Sequence, residues 1–324
     1  MKCRVYVTRR IPEPGLETLR QEFHDVLVNP TNHSLSREEL LEKVAGIDGL
    51  LCMLNDRIDV DLLKATPDLR GIANYAVGYN NIDVAEATRR GIPVSNTPGV
   101  LTDATADLAW ALLMALTRRI VEGDAFVRRG DFKGWAPMLL IGGDIAGRTL
   151  GIVGAGRIGT AMALRSKGFN MDVLYCSQEK NEIIEMELGA RKVDKATLIR
   201  ESDFISLHVP LTDETEHFIG ASEFKMMKHT AFLINTSRGP VVDEAALVEA
   251  LRNDEIAGAG LDVFEEEPKV HPGLNELKNI VMAPHIGSAT IETRSKMAVM
   301  AAENLIAMLK GEKPENCVNP DVLE

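Results

Sequence analysis

Residues 149–168 read TLGIVGAGRIGTAMALRSKG, and the reading of this stretch decides the fold. An apolar run, TLGIV, passes through Gly154-Ala155-Gly156-Arg157-Ile158-Gly159 into the helix formers TAMALRSKG. A strand, a glycine-rich turn and a helix in that order open a βαβ unit able to cradle a dinucleotide. Gly154 allows the tight turn, Gly156 lets backbone approach a pyrophosphate, and Gly159 packs helix against sheet. The helix N-terminus supplies N–H groups for the anion. The glycine spacing alone is weak, because any βα turn can be glycine-rich; the flanking strand and helix make it specific.

Beyond this turn the runs MDVLYC, FISLHVP, AFLINTS, AGAGLDV and NIVMAPH continue the series, separated by helical or turn-rich connectors. Upstream, RVYVT, DVLV, GLLCML, GIANYA and PVSN alternate with stretches such as SREELLEKVAG. Both rhythms predict parallel sheets with crossover helices. The expected fold is α/β, with two Rossmann-like/flavodoxin-like parallel-sheet domains separated by a cleft. The turn cluster Asn96-Thr97-Pro98-Gly99 precedes Thr102 and Asp103, candidate N-caps of a long helix through Arg119. After the last strand, Gly287-Ser288-Ala289-Thr290 opens a helix whose Met297, Ala301, Leu305 and Met308 recur at helical spacing up to a stop at Gly311. That stripe reads as core. The expected division is 1–99 with 290–324 as a substrate-binding domain and 100–289 as a dinucleotide-binding domain, with hinges at Pro98-Gly99 and Gly287-Ser288. The tail PENCVNPDVLE reads as a strand-like surface end.

Composition agrees. The 324 residues suit about two domains at roughly 150 residues each, and 45% hydrophobic content is enough for two cores. Thirty-six basic side chains against 48 acidic ones leave a net charge of -12, which repels a phosphate backbone and argues against nucleic acid as a partner. Cysteines at 3, 52, 176 and 317 form no CxxC pair and no zinc spacing, so we expect a reducing, cytoplasmic setting and no metal. The longest apolar run, 108–116, is far below the ~20 residues that span a bilayer, and no membrane association is expected.

The strand MDVLYC should be followed by an Asp or Glu gripping the ribose 2′-hydroxyl if the cofactor is NAD. Ser177 stands there instead. Ser177, Gln178 and Lys180 suit a 2′-phosphate, while Glu179 opposes it, so the reading leans to NADP and leaves NAD open. Four more polar residues stand at the ends of three strands of the second series: Arg238 after AFLINTS, Asp262 and Glu267 in and after AGAGLDV, and His285 after NIVMAP. Each has a plain explanation alone, as a surface ion pair, a solvated acidic run or a core histidine. In an open parallel sheet, however, all strand carboxyl ends share one edge, the same edge that holds the glycine-rich turn.

With these residues in view, the chain resembles the D-isomer-specific 2-hydroxyacid dehydrogenase family, and within it the glyoxylate/hydroxypyruvate reductases. ANYAVGYNNID from Ala73, NTPGVLTDATADLAWALLMA from Asn96, GIVGAGRIG from Gly151 and HVPLTDET from His208 carry the resemblance. So do INTSRGPVVDEAALVEAL from Ile234, AGAGLDVFEEEP from Ala257 and APHIGSAT from Ala283. The resemblance implies Arg238, Glu267 and His285 as catalytic residues: an anion clamp, the partner of an imidazole, and the acid that protonates the developing alkoxide. It implies a small 2-oxo acid substrate bordered by Leu54, Val77 and Gly78, together with Arg238 and His285. For the cofactor it implies Thr105, the amides of Arg157 and Ile158, then Val209, Pro210, Thr215, Thr236, Ser237 and Gly287. Asp262 is expected at the nicotinamide carboxamide. The resemblance further implies a homodimer built around the segment from Thr102, with Trp135 either reaching the partner's substrate site or simply packed. Other 2-oxo acids, of the phosphoglycerate or D-lactate type, are the nearest alternatives. A dinucleotide-sensing corepressor of the same fold is the alternative from another class. A formate dehydrogenase is set aside because it would carry glutamine at 267.

Overall fold

The computed structural model describes residues 3–323, which form two compact units, 3–101 with 288–323, and 102–287. The first unit is built on a five-stranded, all-parallel sheet of β1 (Arg4–Val7), β2 (Asp25–Val28), β3 (Gly49–Cys52), β4 (Gly71–Asn74) and β5 (Val94–Ser95), in the order β2-β1-β3-β4-β5. β3 and β4 are buried throughout, as strands covered on both faces must be. One face carries Leu16, Leu19, Ala298, Ala301, Leu305 and Leu309 from the helices Glu13–Glu22 and Ile291–Lys310. The other face carries Leu40, Val44, Leu62, Leu63 and Ala87 from the shorter crossover helices.

The returning helix Ile291–Lys310 begins with the Thr290 hydroxyl accepting the Thr293 amide and ends at Gly311 in the left-handed region, φ 76°. Met297, Ala301, Leu305 and Met308 are all buried, as their spacing predicts. Beyond it the tail is less strand-like than expected. Cys317 makes one antiparallel bridge to Ser95, the Asn319 carboxamide accepts the Val94 amide at 2.8 Å, and Pro320–Leu323 turns as a 3-10 helix.

The second unit carries β6 (Thr149–Val153), β7 (Asp172–Cys176), β8 (Arg191–Lys192), β9 (Phe204–Leu207), β10 (Phe232–Asn235), β11 (Gly258–Leu261) and β12 (Ile280–Met282). All seven are parallel, in the order β12-β11-β10-β9-β6-β7-β8. The chain winds one way from β6 to β8 and the other way from β9 to β12, so the crevice at the ends of β6 and β9 is the topological switch point where α/β sheets bind ligands. On one face, the helix Thr102–Thr117 sets Ala106, Ala109, Trp110 and Leu113 against Met162 and Tyr175. The Trp110 indole donates to the Met162 carbonyl at 3.0 Å and stacks on Phe169. The opposite face is closed by Leu198, Phe224, Leu247 and Leu251.

The helix that follows the turn cluster differs from its expected form in two ways. The helix from Thr102 ends at Thr117, because Arg119 takes a left-handed backbone, φ 52°, before a second helix, Ile120–Arg128. Asp103 lies inside the first turn and pairs with Arg165 at 2.9 Å rather than serving as an N-cap.

Gly15 marks the tightest crossing of the first unit: a Cβ there would lie 2.6 Å from the Ala298 carbonyl carbon. Alanine is a better helix former by about 1 kcal/mol. Overpacking against backbone, which cannot swing aside, costs roughly 1–3 kcal/mol. Gly15→Ala is therefore expected to lower the denaturation midpoint; an unchanged or raised midpoint would show a looser crossing.

Candidate active site

The glycine-rich turn is built as its sequence demands. Gly154 has φ 90°, and a Cβ there would lie 2.7 Å from the His208 carbonyl oxygen. At Gly159 it would lie 2.0 Å from the Gly154 carbonyl oxygen, so the helix Arg157–Arg165 sits directly on the turn. At Gly156 a Cβ would meet nothing within 4 Å, and no side chain caps the helix that starts there. Open space beside an uncapped helix N-terminus fits a pyrophosphate. Thr236, at the end of β10, is buried, and its Oγ1 has no hydrogen-bond partner in the protein, which fits a bound polar group at that edge. Asn181 braces the turn: its carboxamide donates to the Ala155 carbonyl at 2.8 Å and to the Thr160 hydroxyl at 2.7 Å.

The ribose-side loop after β7 is less open to a 2′-phosphate than its composition suggests. Lys180 pairs with Glu185 at 2.9 Å, and Glu185 also accepts the Tyr175 hydroxyl at 2.7 Å. Lys192 donates to the Gln178 carbonyl at 2.7 Å, while Ser177 is half-buried. After β9, Val209 is half-buried and Pro210 exposed, and the Thr215 hydroxyl donates to the Pro210 carbonyl at 2.6 Å, tightening that loop.

Arg238 follows β10 in a turn held by buried Asn235. The Asn235 side chain donates to the Arg238 carbonyl at 2.9 Å and accepts the Ser237 amide and hydroxyl at 3.0 and 2.8 Å. The half-buried guanidinium donates to the Ser237 carbonyl at 2.7 Å. Burial lowers Arg238 from its ordinary value against the opposing pull of Glu267, which places these two charges in one field.

After β12, His285 takes a left-handed backbone, φ 53°. Asp262 imposes that turn. Its carbonyl accepts the His285 amide at 2.9 Å, and its two carboxylate oxygens accept the amides of Ile286 and Gly287 at 2.7 and 2.8 Å. The residue expected to face a carboxamide thus also fixes the backbone that carries the imidazole. Thr105 and Gly287 complete this corner: a Cβ on Gly287 would lie 3.2 Å from Asp262 and 3.3 Å from Thr105.

His285 Nδ1 meets Glu267 Oε2 at 2.9 Å and Oε1 at 3.2 Å. Both side chains keep about a quarter of their surface exposed, 27% and 29%, so a small solute can reach the pair. Burial alone would raise Glu267. The His285 bond and charge, the Phe264 amide at 3.1 Å and Arg238 outweigh it and hold the carboxyl below the usual range. An ionised Glu267 accepts from Nδ1–H and leaves Nε2 as the ring nitrogen not engaged by the carboxylate.

The substrate-side candidates belong to the first unit. Leu54 is exposed just after β3. Beyond β4 the Val77 carbonyl accepts from Asn96 at 2.7 Å and the Gly78 carbonyl from Asn74 at 2.8 Å, so side-chain amides hold that loop. Trp135 is not a packed aromatic: it is 85% exposed. Sequence reasoning missed Asn235, Asn181, Glu244 and Glu265 as supports of the site. Their sequence signals were an Asn at a strand end, an Asn before a helix, an acid at a helix start and one acid of the run EEEP, each too common to single out.

A glycine-rich turn at a switch point, on the same strand edge as an imidazole–carboxylate pair and a half-buried guanidinium, defines a dinucleotide-dependent oxidoreductase. Residues 110–287 match the pattern of the D-isomer specific 2-hydroxyacid dehydrogenase, NAD binding domain. The glyoxylate reductase of Thermococcus litoralis is 56% identical over 327 residues, covering 100% of this chain and 98% of that protein. The crystal structure of the TT0316 protein from Thermus thermophilus superposes with a TM-score of 0.91 at 45% identity, covering 97% of this chain and 99% of that one. An NADPH-dependent glyoxylate/hydroxypyruvate reductase from Sinorhizobium meliloti, solved with NADP and malonate, gives 0.83 at 32% identity, covering 98% and 97%. The chain belongs to the D-isomer specific 2-hydroxyacid dehydrogenase family.

Because folding holds Glu267 below its ordinary value, the stability it contributes is present at neutral pH and lost as pH falls through the depressed value. Glu267→Gln is expected to lose less stability than wild type on acidification, read as melting temperature against pH. Equal slopes would mean that the pair does not form.

Proposed function

We propose that the chain reduces glyoxylate or hydroxypyruvate to the corresponding 2-hydroxy acid, the D-isomer where the product is chiral, with NAD(P)H. The observation that carries this reading is the Nδ1–carboxylate bond between His285 and Glu267 on the edge that also bears Arg238 and the glycine-rich turn. The T. litoralis and S. meliloti relatives, named for these activities, support it.

The nicotinamide supplies a hydride when bound. The chain's residues do the rest. Arg238 holds the substrate carboxylate through charge-assisted bonds that orient the carbonyl. Glu267 fixes the imidazole plane, and His285 delivers the Nε2 proton to the carbonyl oxygen as negative charge develops there. In the oxidative direction the same nitrogen takes the proton back. The amides at the start of Arg157–Arg165, Arg157 and Ile158 among them, hold the pyrophosphate, and Thr105, Val209, Pro210, Thr215, Thr236, Ser237 and Gly287 border the rest of the cofactor. Leu54 and the Val77-Gly78 loop bound the substrate, with residues 1–99 and 290–324 acting as substrate domain and 100–289 as cofactor domain.

The cofactor is NADP or NAD. Ser177 in place of the ribose-binding acid, and the NADP held by the S. meliloti relative, favour the phosphorylated form. The Lys180–Glu185 pair counts against it. The setting is cytoplasmic; among the described residues no helix is long and apolar enough to cross a membrane.

The assembly is a homodimer. The helix Ile120–Arg128 has no buried residue, and Ile120, Val121, Val127, Phe132, Trp135 and Met138 are all more than half exposed within one short stretch of chain. A run of apolar surface this dense marks an interaction site. Sedimentation at dimer mass is expected, and a monomer at micromolar concentration would refute it.

Kinetics test the chemistry. His285→Ala should lower kcat by about 100- to 10,000-fold while cofactor still binds. Arg238→Ala loses charge-assisted bonds worth about 1.5–3 kcal/mol each, so KM for the oxo acid should rise at least about tenfold with a fall in kcat. Rates crossing NADH and NADPH with glyoxylate, hydroxypyruvate, pyruvate and 3-phosphohydroxypyruvate fix both choices. No turnover with any of them, despite tight dinucleotide binding, would turn the reading to a corepressor.

A further inference from the structure

Three segments meet behind the Glu267–His285 pair. The loop that carries Glu267 lies against the turn that carries Arg238 with no side chain between them, since a Cβ on Gly239 would lie 1.9 Å from the Phe264 carbonyl carbon and 2.4 Å from the Glu265 nitrogen. The third segment is the turn at His217, whose amide donates to the Pro240 carbonyl at 2.7 Å.

Glu265 ties them together. Its amide donates to Glu244 Oε1 at 2.7 Å, and its own Oε2 accepts the Glu244 amide at 3.2 Å, a reciprocal pair of bonds. Its other oxygen lies 2.6 Å from His217 Nε2. Glu244 is almost fully buried at the start of the helix Glu244–Arg252, a fixed point within the core. Burial raises Glu244, and the Glu265 amide works the other way. The Glu265 bond, against a smaller effect of burial, raises His217, with Asp243 and Glu216 adding to it.

A four-residue excursion from Phe264 to Glu267 has little internal structure to aim a carboxylate. The Phe264 amide bonds one Glu267 oxygen, and the Lys269 amide closes a turn on the Glu266 carbonyl. Both bonds are internal to the loop; Phe264 at its start packs in the core, and beyond it the Glu265 amide reaches buried Glu244.

We propose that Glu265 is a positioning residue for the catalytic pair: clamped to Glu244 and His217, it fixes the Phe264–Glu267 loop so that the Glu267 carboxylate meets His285 Nδ1. This rests on the reading of His285 and Glu267 as the proton-transfer pair. Glu265 makes no hydrogen bond to the His285 imidazole, whose Nδ1 is bonded to Glu267. It acts through the loop, and an ångström of misplacement at such a pair can cost on the order of 100-fold.

The test has two readouts. In wild type, the hydrogen-bonded Nδ1–H of His285 gives a downfield proton resonance that Glu267→Gln removes. Glu265→Ala is expected to weaken or remove the same resonance and to lower kcat by about ten- to a hundredfold with KM for the oxo acid little changed. Glu265→Gln, which keeps an acceptor for the Glu244 amide, should restore both. His217→Ala, at an exposed partner, should give the same loss in smaller degree and carries the test if Glu265→Ala does not fold. An intact resonance in folded Glu265→Ala or His217→Ala, or a loss of kcat with the resonance unchanged, overturns the proposal. The resonance needs no substrate, so it decides the role of Glu265 even if the wild type were to reduce neither oxo acid.

Discussion

All seven strands of the larger sheet run the same way, and the chemistry of the protein depends on that constraint. Parallel strands bring every carboxyl end to one edge, so residues placed just after β6, β9, β10, β11 and β12 meet there although they are separated by more than a hundred positions in the chain. The edge has two properties that chemistry can use. At the β6 end a helix starts without a side-chain cap, leaving backbone N–H groups and an open Gly156 beside them. At the β11 and β12 ends the backbone is bent by Asp262 so that an imidazole stands against a carboxylate.

Asp262, Asn235 and Glu244 share a pattern. Each is a nearly fully buried polar residue whose side-chain oxygens accept backbone amides of a neighbouring loop. A buried carboxylate or carboxamide is costly unless bonded, and here the bonds go to the segments that carry His285, Arg238 and Glu267. The side chains proposed to carry the reaction are thus held by a layer of polar residues set into the sheet edge, which keeps loops as well placed as strands.

Much of this was legible in the sequence. Eleven of the twelve strands lie within runs marked by apolar and β-branched content, because buried parallel strands must be apolar on both faces. The exception, β8, is two exposed basic residues at the sheet edge, where nothing demands hydrophobic side chains. The break at Arg119 is not legible in the sequence, since a left-handed backbone at an arginine leaves no mark in composition. In the site, the pairing of Glu267 with His285 followed from strand ends plus family resemblance. Glu265 did not, since it reads as one acid among three in EEEP and its partners lie 21 and 48 positions away.

By itself, the sequence determined which segments become strands and helices, where the glycine-rich turn lies and which residue types are available for acid–base work. These are set by side-chain periodicity and by glycine at positions that exclude a Cβ, both local properties. Only the tertiary structure decided that Lys180 is bound to Glu185, that Trp135 stands in solvent and that Glu265 braces the loop beside the imidazole. Side-chain partners depend on distances between segments far apart in the chain, and those distances exist only once the sheet has formed.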